Sequence, residues 1–447
     1  MTAAPTRATD PAPVGFRLPR LCLPRPDLDL ARWAVVACDQ YTAEPEYWRQ
    51  VEAQVGEAPS TLRLIFPEVH LGAADAPTRI ANIQQSMRRY LADGLLQDHE
   101  GPVFVEREVD HGVRRGLLLE LDLEHYDFGR DSTSLIRPTE GTMVERLAPR
   151  IAVRREAELE LPHILVLIDD PAGTVIEPLA AERAALTRLY DSPLMQGGRH
   201  IAGYAVDAER AARAVRALQV LADPQANAAR YGVAASTPPM LFAVGDGNHS
   251  LATAKAIWEQ VKAEVGPDHP CRHALVEVEN IHDPALAFEP IHRLLFGVAG
   301  DLRQALVESL GPRVSFTEVP TAAAMRERLA GVGSRCQCAG LIGPGARFAV
   351  VEIVDAPSTL AVGTLQPLLD DFVARRGASA IDYVHGDDVL ERLAVTEGHL
   401  GVHLATVAKS DLLRMVVREG PLPRKTFSMG EAHEKRFYVE ARRIRRA

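Results

Sequence analysis

Five consecutive residues concentrate chemistry in this chain: Asp246-Gly247-Asn248-His249-Ser250 puts a carboxylate, an amide, an imidazole and a hydroxyl side by side. Asp246 is a candidate to hold Mg²⁺ against a phosphate, because Mg²⁺ needs only one or two carboxylates when phosphate oxygens complete its shell. Gly247, Asn248 and Ser250 offer backbone and side-chain donors to an anion, and His249 can grip it or carry a proton. Glycine-rich turns of purely structural purpose are common between strands and helices. A turn that only reverses the chain, however, needs none of these polar groups.

Three other stretches offer related groups. In Thr139-Glu140-Gly141-Thr142, followed by Glu145-Arg146, a carboxylate lies between hydroxyls with a guanidinium nearby. Glu140 so placed is a candidate general base, with Thr142 against the substrate and Arg146 on its phosphate. The alternative is a solvated acidic turn capping a helix. Glu289, His292 and Arg293 form the second group, with Arg293 suited to bidentate contact with phosphate and His292 to the substrate; the alternative there is an ion-paired helix start. In the third, Lys425 beside Arg424 either reaches a phosphate or lies in solvent. A metal site built from Asp246, His249 and His282 or His292 matches no compact zinc spacing. Neither a Ser/His/Asp nucleophile elbow nor a GxxxxGK[ST] loop is visible, which counts against hydrolases and NTPases of those two kinds.

The central turn needs a strand before it and a helix after it. Met240 to Val244 is a short apolar run fit for a buried strand, and Leu251, Ala254, Trp258, Val261 and Val265 recur at helical spacing. Asn248 or Ser250 is placed to cap that helix. Trp33 to Cys38 reads as another strand, so Asp39 and Tyr41 fall at its carboxyl end, where open α/β sheets collect ligands. Further strands are expected at 61–66, 102–109, 116–123, 164–168, 274–278 and 348–353, and helices at 79–91 and 180–190. An alternating, arginine-studded strand closes the chain over 435–444. The resulting fold class is mixed α/β. Its organisation is an irregular arm over 1–25, a main α/β domain over 26–300 and a C-terminal α/β lobe over 301–447, whose last strand is free to return to the main domain.

Composition bounds the function. At 447 residues and 47% hydrophobic the chain can bury a large core. A formal charge of −10 argues against a dedicated nucleic-acid binder. No 18-residue apolar run and no signal-peptide core are present, so no membrane partner is expected and the cytoplasm is the default location. The five cysteines are odd in number and lack paired zinc-knuckle spacing, and are expected to be reduced thiols.

The motifs, taken in order, resemble the family known as domain of unknown function 1015, often labelled as similar to chromosome-partitioning ParB proteins. Asp246-Gly247-Asn248-His249-Ser250 stands where the family has Asp-Gly-His-His-Arg. Thr139-Glu140-Gly141-Thr142 stands for His-Glu-x-Thr, with Glu145-Arg146 after it; Pro290-Ile291-His292-Arg293 and Pro423-Arg424-Lys425 complete the set. Asn248, Ser250 and Thr139 depart from the pattern, which marks a divergent subgroup. The resemblance implies a ParB- and sulfiredoxin-like turn that handles nucleotide phosphates, as in kinases that phosphorylate free serine. It therefore implies a nucleotide, ATP or ADP, as cofactor beside Mg²⁺. The leading expectation is phosphoryl transfer to a small hydroxylated metabolite such as serine, with Glu140, His249 and Asp246 as catalytic groups. A nucleotide-binding regulator without turnover and a metal-dependent hydrolase are the alternatives.

Overall fold

The computed structural model describes residues 15–144, 147–331, 336–406, 408–423 and 425–446. Arg146 and Arg424 lie outside the described residues. The chain forms two units, one running to Ala287 and resuming at Gly430, the other Phe288–Met429.

The first unit is built on a nine-stranded mixed sheet. In chain order its strands are β1 (Phe16–Arg17), β2 (Val103–Val109), β3 (Gly112–Asp122), β4 (Ile136–Pro138), β5 (Leu165–Ile168), β6 (Thr187–Pro193), β7 (His200–Ala205), β8 (Phe242–Asp246) and β9 (His273–Asn280). The spatial order is β6-β7-β2-β3-β9-β5-β8-β4, with β1 also on β3. Strands β4 and β8 run parallel, as do β5 and β9, and the other neighbours are antiparallel. Two helices matter to the site: α1 (Leu147–Arg155) and α2 (Asn248–Val265). Leu251, Ala254 and Trp258 of α2 are buried in one cluster with Val166, Val244 and Val276, as the helical spacing of its apolar residues requires.

Three expectations need correction. Residues 180–190 are not one helix: a helix ends at Ala181 and β6 begins at Thr187. Tyr190 pairs with Gly203 on β7, and its ring covers that glycine so closely that an added Cβ would lie 2.1 Å from it. Strand pairing has overridden the local helical texture. Residues 61–66 do not form a strand either. Ser60 accepts the Leu62 N–H and starts a 3₁₀ turn, and the Ser60 and Thr61 hydroxyls both donate to the Trp33 carbonyl. Finally, 435–444 is not one alternating strand but two short ones, Phe437–Tyr438 on Val35–Val36 and Arg442–Arg443 on Leu159–Glu160. Here Arg442 is buried, donating to Glu160 and Glu120, so it is no part of a basic surface patch.

The second unit carries an antiparallel sheet of seven strands: β10 (Phe288–Phe296), β11 (Val314–Val319), β12 (Cys336–Gly343), β13 (Arg347–Val354), β14 (Ala380–His385), β15 (His399–Leu404) and β16 (Phe427–Met429). Its order is β11-β13-β12-β15-β10-β14, with β16 also on β10. The segment 289–293 is thus strand, not a helix start, and a helix α3 (Asp387–Ala394) follows β14. All five cysteines are free. Among the described residues no helix is long and apolar enough to cross a membrane.

Candidate functional site

Strand β8 delivers Asp246 to its carboxyl end, and the chain then turns through Gly247 into α2. Gly247 has φ +76°, and a Cβ there would lie 3.0 Å from the Ile164 backbone, so glycine is required both by conformation and by space. No side chain caps the start of α2. The expected caps, Asn248 and Ser250, therefore do other things: the Asn248 side-chain oxygen is buried without a hydrogen-bond partner, and Ser250 is directed at a histidine.

Parallel pairing brings Glu140 to the same edge. Pro138 of β4 is opposite Val244 of β8, and both the N–H and the hydroxyl of Thr139 donate to the Val244 carbonyl, at 3.2 and 2.7 Å. Glu140 and Asp246 each follow two residues after that paired position, on strands about 4.8 Å apart. Thr142, further along, sits against the Tyr126 hydroxyl.

Asp246 Oδ1 accepts the Gly247 N–H at 2.9 Å, and Asp246 Oδ2 lies 3.2 Å from Lys435 Nζ. Burial would raise the Asp246 carboxyl, but Lys435, His163 and the Gly247 amide outweigh it and hold the group below its ordinary value. Each oxygen thus has one partner, and the Lys435 ammonium supplies positive charge beside the carboxylate.

Behind the turn runs a hydrogen-bond chain. Ser250 Oγ is 2.7 Å from His163 Nε2, and His163 Nδ1 is 2.9 Å from Tyr438 Oη. Tyr438 Oη accepts the Cys38 N–H at 3.1 Å. With its proton on Nδ1, His163 donates to Tyr438 and accepts from Ser250; with its proton on Nε2 the two roles reverse. Burial pushes both the Tyr438 hydroxyl and the Cys38 thiol above their usual ranges, so both stay protonated at neutral pH. Asp39 adds negative charge close to this end of the chain, raising Cys38 and Tyr438 further. Glu68 pairs with Arg150 at 2.5 Å, and burial, more than Arg150 can offset, pushes its carboxyl up. Tyr41, expected at the substrate, instead stacks on Tyr47 with centroids 3.7 Å apart.

The remaining expected residues belong to the second unit. Arg293 is fully buried, and its guanidinium donates to Gln366 and to the carbonyls of Ile291 and Lys425 and lies over the Tyr383 ring. It ties β10 to the turn at Lys425, whose own φ is +55° and whose ammonium also lies over Tyr383. His292 Nδ1 accepts the Leu404 N–H at 3.1 Å, which leaves the imidazole proton on Nε2, 2.9 Å from Asp387 Oδ1. His403 Nε2 approaches the same oxygen at 3.1 Å, and the two rings stack. The three groups are close enough to surround a metal ion. The tautomer of His292 works against that use, because Nε2 would have to lose its proton while Nδ1 still accepts from the backbone. Burial, more than the neighbouring His403, lowers His292 to about 4, so it is neutral at pH 7.

Sequence reading did not find His163, Tyr438, Lys435, Glu68 or Arg150. A faint signal existed for two of them: His163 directly precedes the buried strand at 164–168, and Lys435-Arg-Phe-Tyr438 sets charge against aromatic residues, as buried polar contacts require.

The fold and this edge define a mixed α/β protein whose polar turn opens a helix beside two parallel strand ends. The chain belongs to the DUF1015 family, described as proteins of unknown function, and the match spans residues 21–370. No match was found among curated proteins. Among solved structures, SbnI with a C-terminal truncation from Staphylococcus aureus is similar at 9% identity, covering 70% of this chain and 81% of that one, with a TM-score of 0.35. Free serine kinase in complex with AMP is similar at 12% identity, covering 74% and 91%, with a TM-score of 0.34. A conserved hypothetical protein from Pyrococcus furiosus follows at 12% identity, 72% and 90%, and 0.31. At such TM-scores these likenesses say nothing about what this chain binds.

Proposed function

We propose that the first unit binds a phosphate-bearing small molecule in front of α2 and passes a phosphoryl group to the hydroxyl of a second small metabolite, such as serine. The observation that carries this reading is the parallel pairing of β4 with β8, whose last pair, Pro138 with Val244, stands two residues before Glu140 and Asp246 and just ahead of α2. The positive end of the α2 dipole and the amides of the turn favour a phosphate there. Glu140 is the group to take the hydroxyl proton, His249 follows on the first turn of the helix, and Lys435 keeps Asp246 ionised. A nucleotide, ATP or ADP, is the phosphoryl source of the right chemistry. No step is assigned to Mg²⁺.

Incubation of the protein with nucleotides and a pool of hydroxylated metabolites, followed by ³¹P NMR, tests the reading. A new phosphoester resonance growing as the terminal nucleotide phosphate declines is the expected result. Nucleotide resonances that shift without any new ester would make the protein a binder without turnover, and unchanged spectra would end the phosphate reading altogether.

A further inference from the structure

The hydrogen-bond chain from Ser250 opens onto a cavity that the phosphate reading does not use. About 140 Å³ of space is lined by Ser250, His163 and Tyr438, by apolar side chains such as Leu64, Phe66 and Met87, and by the ion pair of Arg154 with Glu160. That is close to the roughly 150 Å³ of an engineered apolar cavity large enough for benzene. Glu68 and Arg150, paired with each other, also line it. Each lining guanidinium already faces a carboxylate, which leaves little net charge for a phosphate, while the apolar side chains can receive a short hydrocarbon group.

The hydroxyl facing that space is activated. Ser250 is three residues past Gly247 on the first turn of α2, where the helix dipole favours developing negative charge on Oγ. Its Oγ is 2.7 Å from His163 Nε2, and His163 Nδ1 is 2.9 Å from Tyr438 Oη, which accepts the Cys38 N–H; with its proton on Nδ1, His163 accepts from Ser250. A nucleophile, a base within hydrogen-bond reach and a third group orienting the base is the arrangement that activates serine hydroxyls.

We propose that Ser250 is the nucleophile of an acyl-transfer activity, with His163 as its base and an ester carrying a short apolar acyl chain as substrate. Ser250 Oγ adds to the ester carbonyl carbon as its proton passes to His163 Nε2. The bond from carbonyl carbon to alcohol oxygen breaks, and the alcohol leaves with that proton. Water then attacks the acyl-serine, gives its proton to His163, and the acid departs as Ser250 recovers the proton. The acyl chain lies in the cavity against its apolar side chains. Tyr438 is a positioning residue that acts through His163. This activity shares the turn with the phosphoryl reading but does not depend on it.

The test uses the full-length protein, a biotinylated fluorophosphonate and p-nitrophenyl butyrate. A single fluorophosphonate adduct is expected on Ser250 in the wild type, mapped by mass spectrometry, and none in Ser250→Ala. Butyrate ester hydrolysis should fall at least about 10²-fold in Ser250→Ala and in His163→Gln, the loss expected when nucleophile or base is removed. The wild-type adduct is informative even if both variants fold poorly. A folded wild type that takes no label on Ser250, or a Ser250→Ala variant that hydrolyses the ester as fast as wild type, overturns the proposal. ³¹P NMR on the same preparations reads phosphoryl transfer separately, so either proposal can fail without the other.

Discussion

Lys435 Nζ stands 3.2 Å from Asp246 Oδ2, joining the last segment of the chain to the turn at its centre. The same segment places Arg436 between Glu277 at 2.9 Å and Glu440 at 2.5 Å, and Tyr438 against His163. Polar groups that line the site are thus supplied by a stretch that is itself buried in the first unit. Its charges are matched one by one, so removal of any single partner should be felt at the site.

Lys435→Met replaces the ammonium with an apolar side chain of similar length. Asp246 then keeps its burial, which raises its carboxyl, and loses the cation that chiefly opposes it. The Asp246 carboxyl should move from below its ordinary value to above it, as read from side-chain ¹³C shifts over a pH titration. If Asp246 in the variant still titrates below its ordinary value, Lys435 is not what holds it there.

Glu140→Gln and Asp246→Asn should fail in different ways. Gln keeps the shape of Glu140 and its capacity to hydrogen-bond but accepts no proton, so phosphoryl transfer should drop about 10²- to 10⁴-fold with ligand affinity nearly unchanged. Asp246→Asn removes the partner of Lys435 and leaves a buried ammonium uncompensated, so it should lower stability as well, by about 3 kcal/mol or more. Melting curves with paired rate and binding measurements separate the two. Full turnover in Glu140→Gln would place the base elsewhere.

The sequence made the middle of this site visible and hid its back wall, for a physical reason. Asp246-Gly247-Asn248-His249-Ser250 and Glu140 are legible because a polar turn interrupts periodic apolar runs. The mixed α/β class is legible because strands such as β8 and β9 are short and apolar and α2 has helical spacing. His163 and Tyr438 are single polar atoms on segments otherwise read as strand, and nothing local says that they meet; their contact depends on the short pairing of Phe437–Tyr438 with Val35–Val36. The terminal arginines were legible only as part of an alternating strand, because charge in a sequence does not show its partner. Arg442 finds Glu120 and Glu160 only in the folded chain. In the same way Arg293 looked like a phosphate ligand until its main-chain partners were seen.

Tyr438→Phe keeps the ring and its edge contact with His163 but deletes the hydroxyl. Two groups then lose a partner, His163 Nδ1 and the Cys38 N–H. Buried polar groups left unsatisfied cost about 1–3 kcal/mol each at most, so a loss of about 2 kcal/mol is expected in urea unfolding. A variant as stable as wild type would mean that water or a rearranged loop satisfies Cys38 and His163. In that case Tyr438 is not needed to hold the histidine.

His292 gives the second unit a pH dependence whose sign is fixed by burial. In the folded chain its value is lowered to about 4, against an ordinary 6.5, because its ring has no exposure to water and His403 lies beside it, with Asp387 opposing only in part. His403 is lowered as well, again by burial. As pH falls below 6.5 the unfolded chain takes up a proton at this position that the folded chain refuses. Stability is therefore complete above about pH 6.5 and declines towards about pH 4, where His292 protonates in the fold too. The full effect of this one residue is of order 3 kcal/mol. Asp387 does not offset the loss in that window, because its carboxyl is held below its ordinary value and stays ionised there. Hydrogen exchange at core amides of β10 and β15 between pH 7 and pH 4, corrected for intrinsic exchange, should show protection falling in the wild type. His292→Gln, which can still donate to Asp387 but does not titrate, should flatten that decline. If wild type and variant lose protection in parallel, the pH dependence lies in other groups, and the stacked pair of His292 and His403 is not its source.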